Sequence, residues 1–352
     1  MSEWNKYGPT AARRHGRPGR DVRHKSGTVD VHSHVGVPGA AELVRPHLAG
    51  PANPLATFAD VATRSLNQKQ ETDIAARGGL SRRFADLDAM GLDIQVVMPP
   101  PPQCYYTVPL DIAVASARMV NDGIAEFVAQ QPDRLKGFGT VPMPDGHEAA
   151  KELERCRTEL GFKGVQVLTN VDGKELSDAA FAPFWKKAEE LGMLVVIHPN
   201  GFTEASRLSR FYFNNVIGNP LETTIALHDL IFDGVLERHP NLRILAVHGG
   251  GYLASYAGRI DHAWGARSDS HGDLPHPPTT YLRRIYFDTV VFTPDQLCEL
   301  VRLYGAGHIL MGTDYPFDMA EYDPVGHVCG AGLDDETIAA ICGGNASRLL
   351  EL

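Results

Sequence analysis

The sequence predicts an α/β fold of the closed (β/α)8 TIM-barrel type, on three observations. There are eight short apolar runs, a longer helical pattern follows each, and glycine, proline or polar residues punctuate the boundaries. Alternation of this kind calls for a parallel sheet, and eight units are the number that closes one into a barrel. The runs are Thr28–Val31, Ile94–Met98, Leu135–Val141, Gly164–Leu168, Leu194–Ile197, Arg243–Val247, Ile285–Phe287 and Ile309–Met311. Each holds the β-branched and apolar residues that fit a doubly covered strand.

The helical segments lie between them. Residues 110–130 place Ile112, Ala115, Met119 and Ile124 near one face. Residues 147–160 and 178–191 run up to Gly161 and Gly192, where a C-terminal glycine stops a helix, and Asp178 is placed to cap the second. Pro294–Tyr304 and Asp334–Leu350 complete the set. Residues 36–80 read as an insertion after the first strand, with proline and glycine early, polar residues later and weak structure signals. A long insertion at that end of a barrel serves as a lid or site wall. Pro99–Pro102 makes a stiff loop after the second strand. Residues 1–27 are rich in Gly, Pro and Arg, without periodicity, and are read as an N-terminal arm that packs on a partner subunit, the alternative being a mitochondrial presequence. Residues 28–352 are then one barrel domain.

Composition sets bounds on function. With 43 % hydrophobic and 22 % charged residues in 352, a sizeable core is available and wholesale disorder is excluded. Lys+Arg of 33 against Asp+Glu of 43 gives a net charge of −10, which argues against a nucleic-acid partner. Apolar runs such as Met193–Ile197 fall far short of the roughly 20 residues that span a membrane. Five cysteines without a CxxC pair point to a reduced, cytoplasmic protein.

The chemistry sits at strand ends. His32-Ser-His34 places two rings two residues apart, on the same side of the first strand. Val195-Val-Ile-His198 and Ile244-Leu-Ala-Val-His248-Gly-Gly-Gly each end an apolar strand in histidine. Gly312-Thr-Asp314 follows the last strand, where an acid is costly to bury unless it pairs with a cation. Each alone is weak, since His32-Ser-His34 arises by chance and His198 reads equally as a core histidine. Jointly they put His, His, His and Asp on the face where barrel sites form. Three histidines and one carboxylate suit one Zn²⁺ with a position left for water, and Mn²⁺ or Fe²⁺ fits the same set.

This pattern, with Leu221-Glu-Thr-Thr224, Gly258-Arg259-Ile-Asp261, Phe287-Asp288-Thr-Val-Val-Phe292 and Gly312-Thr-Asp-Tyr-Pro-Phe317 in order, resembles the amidohydrolase superfamily. More narrowly it is similar to the branch containing α-amino-β-carboxymuconate-ε-semialdehyde decarboxylase. The resemblance implies His32, His34, His198 and Asp314 as metal ligands. It implies His248 as the histidine beside the metal's water, the alternative being a fifth ligand or a structural hydrogen-bond partner. Asp314 would also hydrogen-bond that water. It implies Arg259 as an arginine that reaches the neighbouring subunit's site and grips a carboxylate, hence a homodimer. Without the resemblance, Arg259 reads as a surface partner of Asp261 or Glu222.

The fourth strand, Gly164-Val-Gln-Val167, carries no lysine where binuclear members of the family place a carboxylated one, so one metal per chain is expected. The branch's second carboxylate-binding Arg-Pro has no counterpart in register: Arg45-Pro46 comes too early, and Arg64, Lys69 and Arg77 are unaligned. The expected substrate therefore differs from that of the type enzyme. Phe202, Phe317, Tyr105 and Tyr106 are candidates to line a pocket for a flat unsaturated acid, or else core aromatics. Asp288 supports the site or caps a helix, and Trp185 and Trp264 are packing residues. The function expected is a metal-dependent, non-oxidative decarboxylase (a carboxy-lyase) of aromatic catabolism without organic cofactor. The alternative is a hydrolase or hydratase of a lactone or unsaturated carboxylate.

Overall fold

The computed structural model describes residues 27–48, 50, 53–77 and 79–352, the side chains of 75–77 excepted. The expected arm, residues 1–27, lies outside them apart from Gly27. Eight strands form the barrel: β1 (Val29–His34), β2 (Ile94–Met98), β3 (Leu135–Gly137, resumed at Gly139–Thr140), β4 (Gly164–Leu168), β5 (Leu194–His198), β6 (Arg243–Ala246), β7 (Tyr286–Asp288) and β8 (Ile309–Leu310). All neighbours pair in parallel, in chain order from β1 to β8. The Val31 N–H donates to Met311 O at 2.9 Å, and a parallel bridge joins Ser33 to Tyr315, so β8 closes onto β1. The first strand runs three residues further than expected and carries both histidines within it.

Two apolar layers hold the barrel. Inside, Val29, Val31, Val96, Met98, Phe138, Leu194, Val196, Leu245, Val247 and Leu310 pack together. Outside, Val97, Val165, Val195 and Ile244 meet helix residues such as Leu87, Ile124, Leu153 and Leu227. Each such aliphatic side chain contributes roughly 1.5–3 kcal/mol on burial. Trp185 is buried, its indole N–H on Leu176 O, and Trp264 stacks on His271, both as packing residues. Among the described residues no helix is long and apolar enough to cross a membrane.

The helices match with three corrections. Leu110–Ala129 forms as expected, but its buried face is Ala113, Ala117, Val120 and Ile124, whereas Met119 is exposed. Small residues let that face sit close to β3, and the Asn121 amide donates to Thr140 O at 2.9 Å. The expected helix Asp334–Leu350 is broken into Asp335–Ala339, a wide π-turn Ala340–Gly344 and Asn345–Leu350. The turn is drawn onto β8, where Met311 N–H donates to Ile341 O and the Asn345 amide donates to Ala306 and Ile309 carbonyls. The insertion, expected to be weakly structured, is helical at Pro38–Val44, Pro54–Phe58 and Val61–Arg77, before the barrel helix Leu80–Met90. Val61–Arg77 is polar almost all round, so it shows no apolar stripe in the sequence.

Candidate metal centre

The inner apolar layer ends at the C-terminal rim, where the inward positions turn polar. β1 supplies two of these through an irregularity. Its register against β2 slips between Asp30 and Ser33, and a bulge re-aims side chains in this way. Val31 lies in the inner layer and His32 still reaches the rim beside His34. Asp30 anchors the slip, accepting from His32 N, Gln95 Nε2, Thr313 N and Thr313 Oγ1 at 2.7–3.1 Å. Behind it the buried Arg83 donates to Gln95 Oε1 at 2.6 Å and to His34 O at 2.7 Å. Burial pushes the Asp30 carboxyl up to about 6 despite these donors.

Each imidazole has one nitrogen fixed. Nδ1 of His32 lies 2.7 Å from Asp288 Oδ2, Nδ1 of His34 3.0 Å from Pro99 O, and Nδ1 of His198 2.7 Å from Pro199 O. Those acceptors assign the protons to Nδ1 and leave the Nε2 lone pairs free, the tautomer a metal requires. The three rings meet edge to face with centroids 5.1–5.2 Å apart. Nε2 of His32 and of His198 are buried without a hydrogen-bond partner. Asp314 completes the set, with Oδ1 3.1 Å from His34 Nε2 and 3.4 Å from His32 Nε2. Donor atoms of all four residues lie within 4.8 Å of one another. Four buried lone-pair donors aimed at one point, two of them orphaned, suit a divalent cation.

The turn after β8 is built for this. Asp314 has a left-handed backbone (φ +61°), and its N–H donates to His32 O at 2.8 Å. A Cβ on Gly312 would stand 3.0 Å from His32 Cβ and 3.2 Å from Asp288 Cβ, so a larger residue would press on both. Burial favours a neutral Asp314, yet the His32, His248 and His34 rings hold its carboxyl well below the usual range. Burial, then the neighbouring rings, pushes His198 far below its usual value, and burial lowers His34. His32 is raised: burial opposes its charge, but Asp314 and Asp288 outweigh it. Burial also opposes Asp288 ionisation, and the bond to His32 overrides it.

His248 stands beside the four donors. Its Nε2 is 3.5 Å from Asp314 Oδ2, and its ring is 5.1 Å from that of His198. Its backbone is left-handed (φ +55°), as are the glycines behind it. At Gly250 a Cβ would lie 2.6 Å from the Phe287 ring. Asp288 ties both histidines together, because its second oxygen accepts from Gly249 N at 2.9 Å. That settles its part as a support of the site. Thr293 caps the next helix, its hydroxyl accepting from Gln296 N.

The chain is similar to known proteins in sequence and in fold. The family model described as Amidohydrolase matches residues 105–352. The chain belongs to the amidohydrolase family. It is 35 % identical to the 2-amino-3-carboxymuconate-6-semialdehyde decarboxylase of Dictyostelium discoideum, over 77 % of this chain and 76 % of that protein. It is 31 % identical to the gamma-resorcylate decarboxylase of Rhodococcus jostii, over 58 % of this chain and 68 % of the relative. The 5-carboxyvanillate decarboxylase of Sphingomonas paucimobilis superposes with a TM-score of 0.82 at 22 % identity, over 93 % of this chain and all of that one, which shows the shared barrel. A dihydroxybenzoic acid decarboxylase from Polaromonas, solved with manganese and 2-nitroresorcinol, superposes with a TM-score of 0.79 at 25 % identity, over 93 % and 97 %. The expected branch of the family and the expected barrel are both correct.

Of the residues singled out in the sequence, the structure brings together His32, His34, His198, Asp314, His248 and Asp288. Phe317 joins them, its ring 5.0 Å from that of His34. Phe202 lies half-buried on the loop after β5, its N–H on Asn214 Oδ1 at 2.8 Å. Among the described residues its ring makes no aromatic contact with the centre. Arg259 is exposed on helix Leu253–Ala266. Neither partner offered by the plainer reading takes it, since Asp261 is held by Thr279 and Glu222 by Thr169, Asn170 and Thr203. Sequence reasoning missed Arg83 and Gln95. Their only sequence signal is a charged and an amide side chain at positions facing a covered sheet. It also missed Asn200, which follows His198 by two residues and is buried with Oδ1 unpartnered.

Proposed function

We propose that the chain is a metal-dependent, non-oxidative decarboxylase acting on an unsaturated or aromatic carboxylic acid. The observation that carries this is the convergence of three Nδ1-anchored imidazoles and Asp314 on one point beside His248. The relatives named above are decarboxylases, which supports it. His32, His34, His198 and Asp314 would hold one ion, zinc in our reading. The same donors accept iron, or manganese as in the Polaromonas enzyme. Gln166 on β4 favours a single ion, since its amide serves Pro99 O and offers no bridge for a second. When bound, the ion supplies Lewis-acid charge that stabilises the negative charge developing as CO2 leaves.

The residues do the rest. Breaking the bond to the carboxyl leaves its electron pair on carbon, which must gain a proton, with no net oxidation. His248 is placed to deliver that proton from Nε2. Its side chain is 17 % exposed whereas the His32 and His34 side chains are at most 1 %, so solvent can restore the proton. Asp288 keeps the His32 ring and the His248 turn in one frame. Phe317 gives a flat wall over His34, and Phe202 a second wall from the β5 loop. Arg259, exposed on its own chain, crosses to a neighbouring subunit of a homodimer and grips a carboxylate through two parallel N–H bonds. A cytoplasmic location belongs to the same reading, resting on five cysteines without a disulfide.

The test is CO2 release from a panel of hydroxybenzoates, carboxymuconate semialdehydes and pyrone carboxylates, with and without chelator. Release from one acid, lost with chelator and restored by metal, is expected. Ring opening or hydration without CO2 would move the chain to the hydrolase or hydratase class.

A further inference from the structure

Three of the five cysteines gather behind β8. Cys329 ends helix Pro324–Cys329, and Cys342 lies in the π-turn Ala340–Gly344 that packs on it. Their thiols share a hydrogen bond, and no step of the decarboxylation uses them. The pair is uneven, because Cys342 is fully buried and Cys329 half-buried. The hydrogen bond from Cys342 pulls the Cys329 thiol below its ordinary value, against its burial and the carboxylates of Asp323 and Asp335. The same bond, with burial, pushes the Cys342 thiol far up. One sulfur is thus suited to attack as a thiolate, the other to follow as the resolving thiol. The remaining cysteines differ. Cys104 and Cys156 are buried, with their thiols pushed up by burial, and Cys298 donates to Ala331 O at 3.1 Å.

The π-turn is also the seat of the strand that leads to Asp314. Ile341 O, next to Cys342, accepts from Met311 N at 3.1 Å, and Met311 O accepts from Val31 N at 2.9 Å. The Asn345 amide holds the Ala306 and Ile309 carbonyls at 2.7 and 2.8 Å. At Gly343 a Cβ would stand 2.1 Å from Gly27 O, just before β1. The turn is therefore wedged between β8, which runs on to Asp314, and β1, which carries His32 and His34. A disulfide holds its sulfurs about 2.05 Å apart, far inside hydrogen-bonding distance. Closing one here draws Cys342, and the turn with it, towards helix Pro324–Cys329. Four donors within 4.8 Å of one another fit an ion less well once Asp314 is displaced.

We propose that Cys329 and Cys342 are a dithiol oxidised by hydrogen peroxide, and that closing it to a disulfide loosens the metal centre through the π-turn and β8. The Cys329 thiolate attacks one peroxide oxygen, the O–O bond breaks, and the departing hydroxide is protonated to water. Cys342 then attacks the sulfur of the resulting sulfenic acid. The S–O bond breaks, and the hydroxyl leaves with the Cys342 proton as a second water. Two thiols lose two electrons and one peroxide gains them. The dithiol chemistry stands apart from the decarboxylase reading, whereas the loosening rests on the metal centre of that reading.

The test treats full-length, zinc-loaded protein with a small excess of hydrogen peroxide, alkylates the remaining thiols and maps the peptides by mass. Two of the five thiols should be lost, joined as one Cys329–Cys342 peptide pair and recovered with dithiothreitol. Chelator competition should show the zinc dissociation constant raised about tenfold in the oxidised protein and restored by the reductant. Cys329→Ser, at the half-buried position, should abolish both effects, and Cys298→Ser should leave both. Peroxide that leaves all five thiols open to alkylation, or that joins Cys329 to Cys298, would overturn the pair. A Cys329–Cys342 disulfide with unchanged zinc affinity would overturn the loosening. Reduced protein that binds no zinc would sink the metal-centre reading and the loosening with it, while the peptide map would still decide the dithiol.

Discussion

At the ends of β1, β5 and β8 the barrel rim carries ionisable groups whose directions are fixed from behind; the loops after β2, β4 and β5 carry amides and hydroxyls around open space. On the first side, every ligand histidine has its Nδ1 held by a carboxylate or carbonyl. On the second, Asn200 and Tyr106 are buried with an atom left over, next to the insertion helix Pro54–Phe58. The difference is one of construction. The ion-holding rim grows out of the strands themselves, and the neutral rim is assembled from loops and an inserted helix.

Substitutions on the ion-holding rim should do the greater damage. His198→Ala removes one of four donors, so metal content should drop from about one per chain to a small fraction, and CO2 release should fall by about 10³-fold or more. Elemental analysis beside the assay checks both. His248→Ala should leave the metal in place and cost about 10²–10⁴-fold in turnover, as expected for a lost proton donor. Loss of metal in that variant would make His248 a ligand instead. Asp288→Asn keeps the shape but weakens the hold on His32, and should raise the metal dissociation constant about 10–100-fold, read by competition with a chelator.

The smallest effect lies outside both rims. Burial, then Asp229, pushes the Glu175 carboxyl from its ordinary 4.5 up to about 7. Between those values the folded chain binds a proton that the unfolded chain has released, so this group's contribution to stability falls as pH rises through 7. Glu175→Gln should therefore melt higher than wild type at pH 8, by less than about 2 °C, with the gain shrinking towards pH 5. A thermal melt at both pH values reads it.

The two rims also differ in how far they could be read from sequence. His198 and His248 stand out because a polar ring ending an apolar strand has little other reason to be there, and Asp314 because a bare acid follows the last strand. Asp288 was visible as a strand-end acid but ambiguous, since only the closed barrel shows that it faces the His32 ring. The neutral rim left little trace. Asn200, Tyr106 and Phe58 come from three separate segments, and nothing in their spacing says that they meet. Val61–Arg77 hid its helix because it buries no continuous stripe, and the last helix hid its π-turn because the cause is tertiary, the pull of β8 on Ile341 and Asn345. The face of Leu110–Ala129 was misjudged by favouring large apolar residues where close packing selects alanine.

The most direct test of the central claim is decarboxylation in D2O by metal-loaded and chelator-stripped protein, with CO2 counted and the product examined by NMR. The account predicts one CO2 per product molecule, a single deuterium on the carbon that carried the carboxyl, and no product from stripped protein until metal is returned. Turnover without CO2, or CO2 release that survives removal of the metal, would contradict it.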